Sequence, residues 1–125
     1  QIRHFERMLV AEGALVLKKG TVITPSHVAA LKQAGIASVV VARLDPGDVS
    51  EDDAAAAIAA SASGEAVRAD KAFTGRCNLF ADSAGVLVVD RERIDELNRI
   101  DEAVTIATLP AYKPVVEGEM IATVK

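Results

Sequence analysis

Phe73 to Asp90 reads FTGRCNLFADSAGVLVVD. A polar island of Thr74, Gly75, Arg76 and Asn78 sits there between apolar residues and leads into the run Val86 to Val89. The run predicts a strand. Asp90 behind it predicts the cap of a helix over Arg91 to Arg99, with Ile94 and Leu97 inward and an Asp95–Arg99 pair at i,i+4. Filling a core does not call for the island. A guanidinium, a side-chain amide, a hydroxyl and the backbone N–H groups left accessible by Gly75 are donors suited to an anion or a polar heterocycle. Arg76 has two readings. It is either a structural arginine that bridges turn carbonyls or pairs with Asp82, or a contact for an anion or polar heterocycle on the loop that opens a strand.

The same order of strand and capped helix occurs upstream. Thr24 is an N-cap followed by Pro25 at the first helical position. Val28 and Leu31 form the expected buried stripe. Gly35 stands where a C′ glycine belongs, and Ile36 is placed to touch Leu31. Ser38 to Ala42, nearly all valine, predicts a strand buried on both faces. Asp45-Pro46-Gly47-Asp48 predicts a turn. Val22, Ile23, Thr24, Val28 and Leu31 match Val88, Val89, Asp90, Ile94 and Leu97 at one constant offset. After a one-residue slip, Val39, Val41, Ala42 and Leu44 match Val104, Ile106, Ala107 and Leu109. The expected fold class is therefore α+β. A mixed sheet would be built from two β-α-β-like units with covering helices, and the matched halves suggest a pseudo-twofold repeat.

Between these halves, Ser50 predicts a second helix cap, with Glu51, Asp52 and Asp53 set favourably against the positive end of the helix. Its body is almost pure alanine with Ile58 as the one bulky apolar residue. It is a good helix by propensity but buries little area. Ala66 to Ala69 predicts a short strand and Ala103 to Leu109 a longer one. Pro110 to Pro114 is a loop, and Glu117-Gly118 opens a last strand over Met120 to Lys125.

At 125 residues the chain fits one domain able to bury a core. The expected organisation is a single accessory domain over 1–125, the N-terminal fragment of a protein continuing past Lys125. Half of the residues are hydrophobic but only 3% are aromatic, which argues against a base-stacking surface. With a net charge of −4 and no basic run, nucleic acid is not an expected partner. No window approaches the ~20 apolar residues needed to span a bilayer, and the N-terminus has no secretory pattern. The single cysteine, Cys77, excludes an internal disulfide and fits a reducing cytoplasm.

No catalytic constellation is visible. The only histidines, His4 and His27, form no metal-ligand pattern, and His27 falls in a first helical turn, where an exposed or capping role is expected. Cys77 reads as a small semi-buried residue rather than a nucleophile. There is no Walker A loop and no Rossmann glycine fingerprint. The acidic cluster Asp48, Glu51, Asp52, Asp53 is accounted for by the helix dipole. The segment Arg43 to Val49, RLDPGDV, is a second candidate for a binding rim beside its reading as an ordinary turn.

Three segments carry a family resemblance: Leu17 to Ala55, Phe73 to Asn98 and Glu102 to Lys125. The chain resembles the N-terminal region of bacterial molybdopterin-binding proteins of molybdenum cofactor biosynthesis, relatives of the molybdopterin molybdotransferases. The specific parts are ARLDPGDV and TGRCNLFAD. The resemblance implies an accessory, non-catalytic domain of a cytoplasmic protein, whose parent would be a transferase of cofactor biosynthesis. A downstream molybdopterin-binding or nucleotidyltransferase domain is its implied partner, with a homo-oligomer as a further implied assembly, and molybdopterin is the implied cofactor. The residues carried over are Thr74, Gly75, Arg76 and Asn78 from one motif and Arg43, Asp45 and Asp48 from the other. The chain departs from the family in two places. The join between Glu12-Gly13-Ala14 and Leu17-Lys18-Lys19-Gly20 is short, and Cys77 stands where an aliphatic residue is usual. An alternative rests on VLKKGTVITPSHVAALKQAGI, Val16 to Ile36, which also suits β-clip-like modules that mediate assembly or bind carbohydrate.

Overall fold

The computed structural model describes residues 2–3, 9–11, 14–17 and 21–125. His4 and the short join at 12–13 and 18–20 lie outside them. The chain divides into two compact units, Gln1–Val49 and Ser50–Lys125.

In the first unit the described elements are β1 (Ile2–Arg3), β2 (Leu9–Ala11), β3 (Ala14–Leu17), α1 (Pro25–Gln33) and β4 (Ala42–Arg43). β1 pairs with β4 and β2 with β3, both antiparallel. α1 begins as expected. The Thr24 hydroxyl accepts from the His27 backbone N–H, and the His27 ring faces the Thr24 N–H in return, which closes a capping box. The helix ends in a Schellman motif. Gly35 has φ +69°; its N–H reaches the Lys32 carbonyl, and the Ile36 N–H reaches the Leu31 carbonyl at 3.0 Å. Leu31 packs with Leu17, and Ile23, Ile36 and Val39 close around them.

Two expectations fail in this unit. Val28 is 41% exposed, and Leu31 is the residue that α1 buries, against Leu17. Ser38 to Val41 forms no strand; only Ala42–Arg43 does, and Val40 is exposed. Valine content signals a strand only where a partner supplies the ladder.

The second unit comprises α2 (Glu51–Ala62), β5 (Val67–Ala69), β6 (Cys77–Ala81), β7 (Gly85–Val86), α3 (Arg91–Leu97), β8 (Ile106–Thr108), β9 (Pro114–Val115) and β10 (Met120–Val124). Four strands form a sheet in the order β5-β6-β10-β8, and β7 pairs separately with β9. The α+β class therefore holds, and every described pairing is antiparallel. The strands on either side of α3 are not neighbours, so this segment is not a β-α-β unit of a mixed sheet. The β9–β10 turn brings the chain back so that β10, rather than β7, becomes the partner of β8. Of the runs Val86 to Val89 and Ala103 to Leu109, only Val86 and Ile106–Thr108 are strand.

Alternation along β6 buries Cys77, Leu79 and Ala81 on one face. Val124 and Ala122 join them from β10 and Ile106 from β8. β10 has a bulge between Met120 and Ala122, and the extra residue lets the consecutive Ile121 and Ala122 both face the core. α2 covers this face through Ala55 and Ala59. Ser50 caps it by accepting from the Asp53 N–H at 3.1 Å. Its alanines, weak in area, let the helix backbone approach the sheet closely. α3 is capped by Asp90 and ends at Leu97. Asp95 consequently pairs with Arg91, not with Arg99, while Ile94 and Leu97 reach the core as expected. At the last turn, Lys113 and the Val116 N–H bond the Glu119 carboxylate, and these contacts hold its pKa below the ordinary carboxylate value.

Ala59 is fully buried against the sheet. Ala59→Leu should lower stability by ~1–3 kcal/mol through overpacking. Urea unfolding followed by circular dichroism measures it, and an unchanged midpoint would contradict the close helix–sheet approach.

Candidate functional site

The island Thr74 to Arg76 is a tight turn. Phe73 and Arg76 exchange both backbone hydrogen bonds, at 2.9 and 3.2 Å. The two central residues, Thr74 and Gly75, have φ +52° and +71°. Two positive φ values define a type I′ turn, whose twist suits a hairpin. Glycine takes this conformation freely, whereas threonine is β-branched and strained there.

The turn is fastened to the start of α2. The Gly75 N–H donates to Asp52 Oδ1 at 2.7 Å. A Cβ on Gly75 would stand 2.8 Å from Glu51 Oε2. The acidic first turn of α2 thus does more than meet the helix dipole: Asp52 anchors the hairpin. No local pattern announces this bond, because its partners are 23 residues apart.

Arg76 emerges from the turn onto an exposed position. Among the described residues its guanidinium has no hydrogen-bond or ion-pair partner. The expected Asp82 pairing does not form. Asp82 instead accepts from Arg68 Nε at 3.3 Å, and Arg68 lies over the Phe80 ring, 5.0 Å from its centroid. Asn78 sits two residues further along β6. Its side-chain oxygen accepts from Thr123 Oγ1 at 2.8 Å. Thr74, Gly75, Arg76 and Asn78 therefore occupy one hairpin and the strand that leaves it.

Arg43, Asp45 and Asp48 belong to the other unit. Arg43 is in β4. Asp45 and Asp48 clasp their turn: the Asp48 N–H donates to the Asp45 carbonyl at 3.0 Å and the Asp45 N–H to Asp48 Oδ2 at 2.8 Å. Gly47, with φ +101°, supplies the positive angle this turn needs. Both carboxylates are exposed.

Cys77 is more buried than expected, at 1% exposure. Its Sγ donates to the Asp70 carbonyl at 3.2 Å. Burial first, and the Asp70 charge second, push the thiol pKa up, the reverse of what a nucleophile requires. His27 serves its capping box. Among the described residues no group of three His, Cys, Asp or Glu could hold a metal, and no helix is long and apolar enough to cross a membrane.

One feature of this unit had no counterpart in the sequence reading. A cleft of about 710 Å³ opens between the end of α2, β7 and the start of α3, above the sheet. Leu79, Ile106 and Ile121 line it, with Val86, Val88 and Ile94 at its sides. Val86 and Val88 are 58% and 76% exposed. The apolar run that predicts a strand lies along this open cleft. Protein-family profiles, curated proteins and solved structures give no match to this chain.

Thr74→Asn gives the turn the Asn-Gly pair that type I′ geometry favours. It should raise stability by roughly 0.5–1 kcal/mol, read as a higher thermal midpoint. A lower midpoint would show that the threonine is not strained.

Proposed function

We propose that the chain is an accessory domain of a molybdenum cofactor biosynthesis protein, contributing to molybdopterin binding or assembly with its chemistry supplied elsewhere. The reading is supported by the resemblance in three segments. Its single strongest physical observation is Arg76, exposed on a fastened turn and without a partner among the described residues. A guanidinium held this way suits a phosphate or pterin contact. Arg76 makes that contact, and Thr74 and Asn78 orient it; Arg43, Asp45 and Asp48, on the other unit, form a second candidate rim by themselves. Gly75 supplies the positive φ that the turn needs, and its N–H is held by Asp52. The partners are a downstream molybdopterin-binding or nucleotidyltransferase domain and a second copy of the chain, in the cytoplasm. The proposed pseudo-twofold repeat reduces to its capped helices, since Thr24 and Asp90 both cap at matched positions.

The alternative, an interaction or carbohydrate-binding module, draws support from a different observation, the open cleft with its exposed Val86 and Val88.

Calorimetric titration with molybdopterin separates the two. The accessory-domain reading expects binding, weakened about tenfold by Arg76→Ala, the loss of one charge-assisted hydrogen bond. Equal affinity in the variant would remove Arg76 from the site, and no binding by the parent chain would overturn the reading.

A further inference from the structure

The proposed site extends across the sheet to residues outside the resemblance's two motifs. β6 and β10 pair with Cys77 opposite Val124 and Asn78 opposite Thr123. Continuing the register by one residue sets Arg76 opposite Lys125. The hydrogen bonds around this pair fix its type. Lys125 directs both its N–H and its carbonyl to Thr105, at 2.8 and 2.9 Å, and Arg76 directs both of its own to Phe73. Neither backbone faces the other, so Arg76 and Lys125 form a non-hydrogen-bonded antiparallel pair, the kind whose side chains stand closest.

Two cations directly opposite each other repel. Among the described residues neither Arg76 nor Lys125 has an acidic side-chain partner, a lack that Lys32, Arg43, Lys71 and Arg99 share while Arg68, Arg91, Arg93 and Lys113 are paired. What sets Arg76 and Lys125 apart is that they stand opposite each other. Asn78 shares their face one pair further along. Its oxygen is taken by Thr123, which leaves its NH₂ as the free end. Guanidinium, ammonium and amide NH₂ together present donors. Glu51 and Asp70 flank the set. The Glu51 carboxylate lies against Gly75, and Asp70, on the adjoining strand side, has its N–H on the Asn78 carbonyl at 2.8 Å and its Oδ1 on the Lys71 N–H. Asp52 is occupied by Gly75.

We infer that Arg76, Lys125 and Asn78 form a binding site for a phosphoryl dianion. The inference rests on the accessory-domain reading for the cofactor as the source of that group, but the donor geometry stands without it. A ligand with two negative charges and several acceptor oxygens relieves the repulsion and offers each of the three groups an acceptor. Lys125 is thereby a binding residue.

The probe is inorganic phosphate, titrated at low ionic strength into the chain with a short uncharged tail after Lys125. Backbone amide shifts are followed by NMR. Saturable shifts should centre on 76, 78, 123 and 125. Arg76→Ala and Lys125→Ala should each weaken binding roughly tenfold, Lys125→Arg should retain it, and Asp70→Asn should tighten it. Arg99→Ala, a cation elsewhere on the unit, should change nothing. Shifts that scatter over the surface, or equal affinity in all variants, would overturn the site. A parallel molybdopterin titration keeps the two proposals apart. Phosphate binding without molybdopterin binding leaves the site and sinks the cofactor assignment. Molybdopterin binding that is indifferent to phosphate and to Lys125→Ala does the reverse.

Discussion

The antiparallel register of β6 on β10 is the constraint on which the second unit depends. Pairing Cys77 with Val124 and Asn78 with Thr123 sorts every side chain on these strands. Cys77, Leu79, Ala81, Ala122 and Val124 go to the covered face. Asn78, Thr123 and, by continuation, Arg76 and Lys125 go to the other. A slip of one residue would exchange the two sets and place a guanidinium beneath an alanine helix. The burial of the apolar set is therefore what holds the polar set in place.

α2 completes this arrangement from both ends. Its alanines permit close contact with the sheet, which larger side chains would prevent. At its start, the Asp52 carboxylate takes the Gly75 N–H and so ties the hairpin tip to the element that covers the core. The type I′ turn gives Arg76 a defined exit direction, and Asp52 makes that direction part of the packed unit. A binding residue on an exposed turn usually costs ordering free energy when a ligand arrives. Here much of that ordering belongs to the fold.

Local chemistry was legible in the sequence. Thr24, Ser50 and Asp90 announce their helices because an N-cap and its N–H lie within three residues of each other. Gly35 and the Asp45–Asp48 turn are legible for the same reason. Runs of valine were a poorer guide. Ser38 to Ala42 and Val86 to Val89 have the composition of buried strands, but pairing is non-local and neither run finds a full ladder. Charge in the sequence offers Asp82 to Arg76; the β5–β6 pairing, with Arg68 opposite Phe80, gives it to Arg68 instead. In the candidate site the donors Thr74, Gly75, Arg76 and Asn78 were visible as residue types. Lys125 and Asp52 were not, since each reaches the site across a distance in sequence that only the sheet register or the helix position closes.

The register itself can be read directly in solution. In a non-hydrogen-bonded antiparallel pair the two Hα protons face each other at short range. The account predicts a strong Hα–Hα nuclear Overhauser effect between Arg76 and Lys125 and another between Asn78 and Thr123. Effects linking Arg76 to Val124, or Cys77 to Lys125, in their place would mean a one-residue slip and would contradict both the buried face and the paired cations.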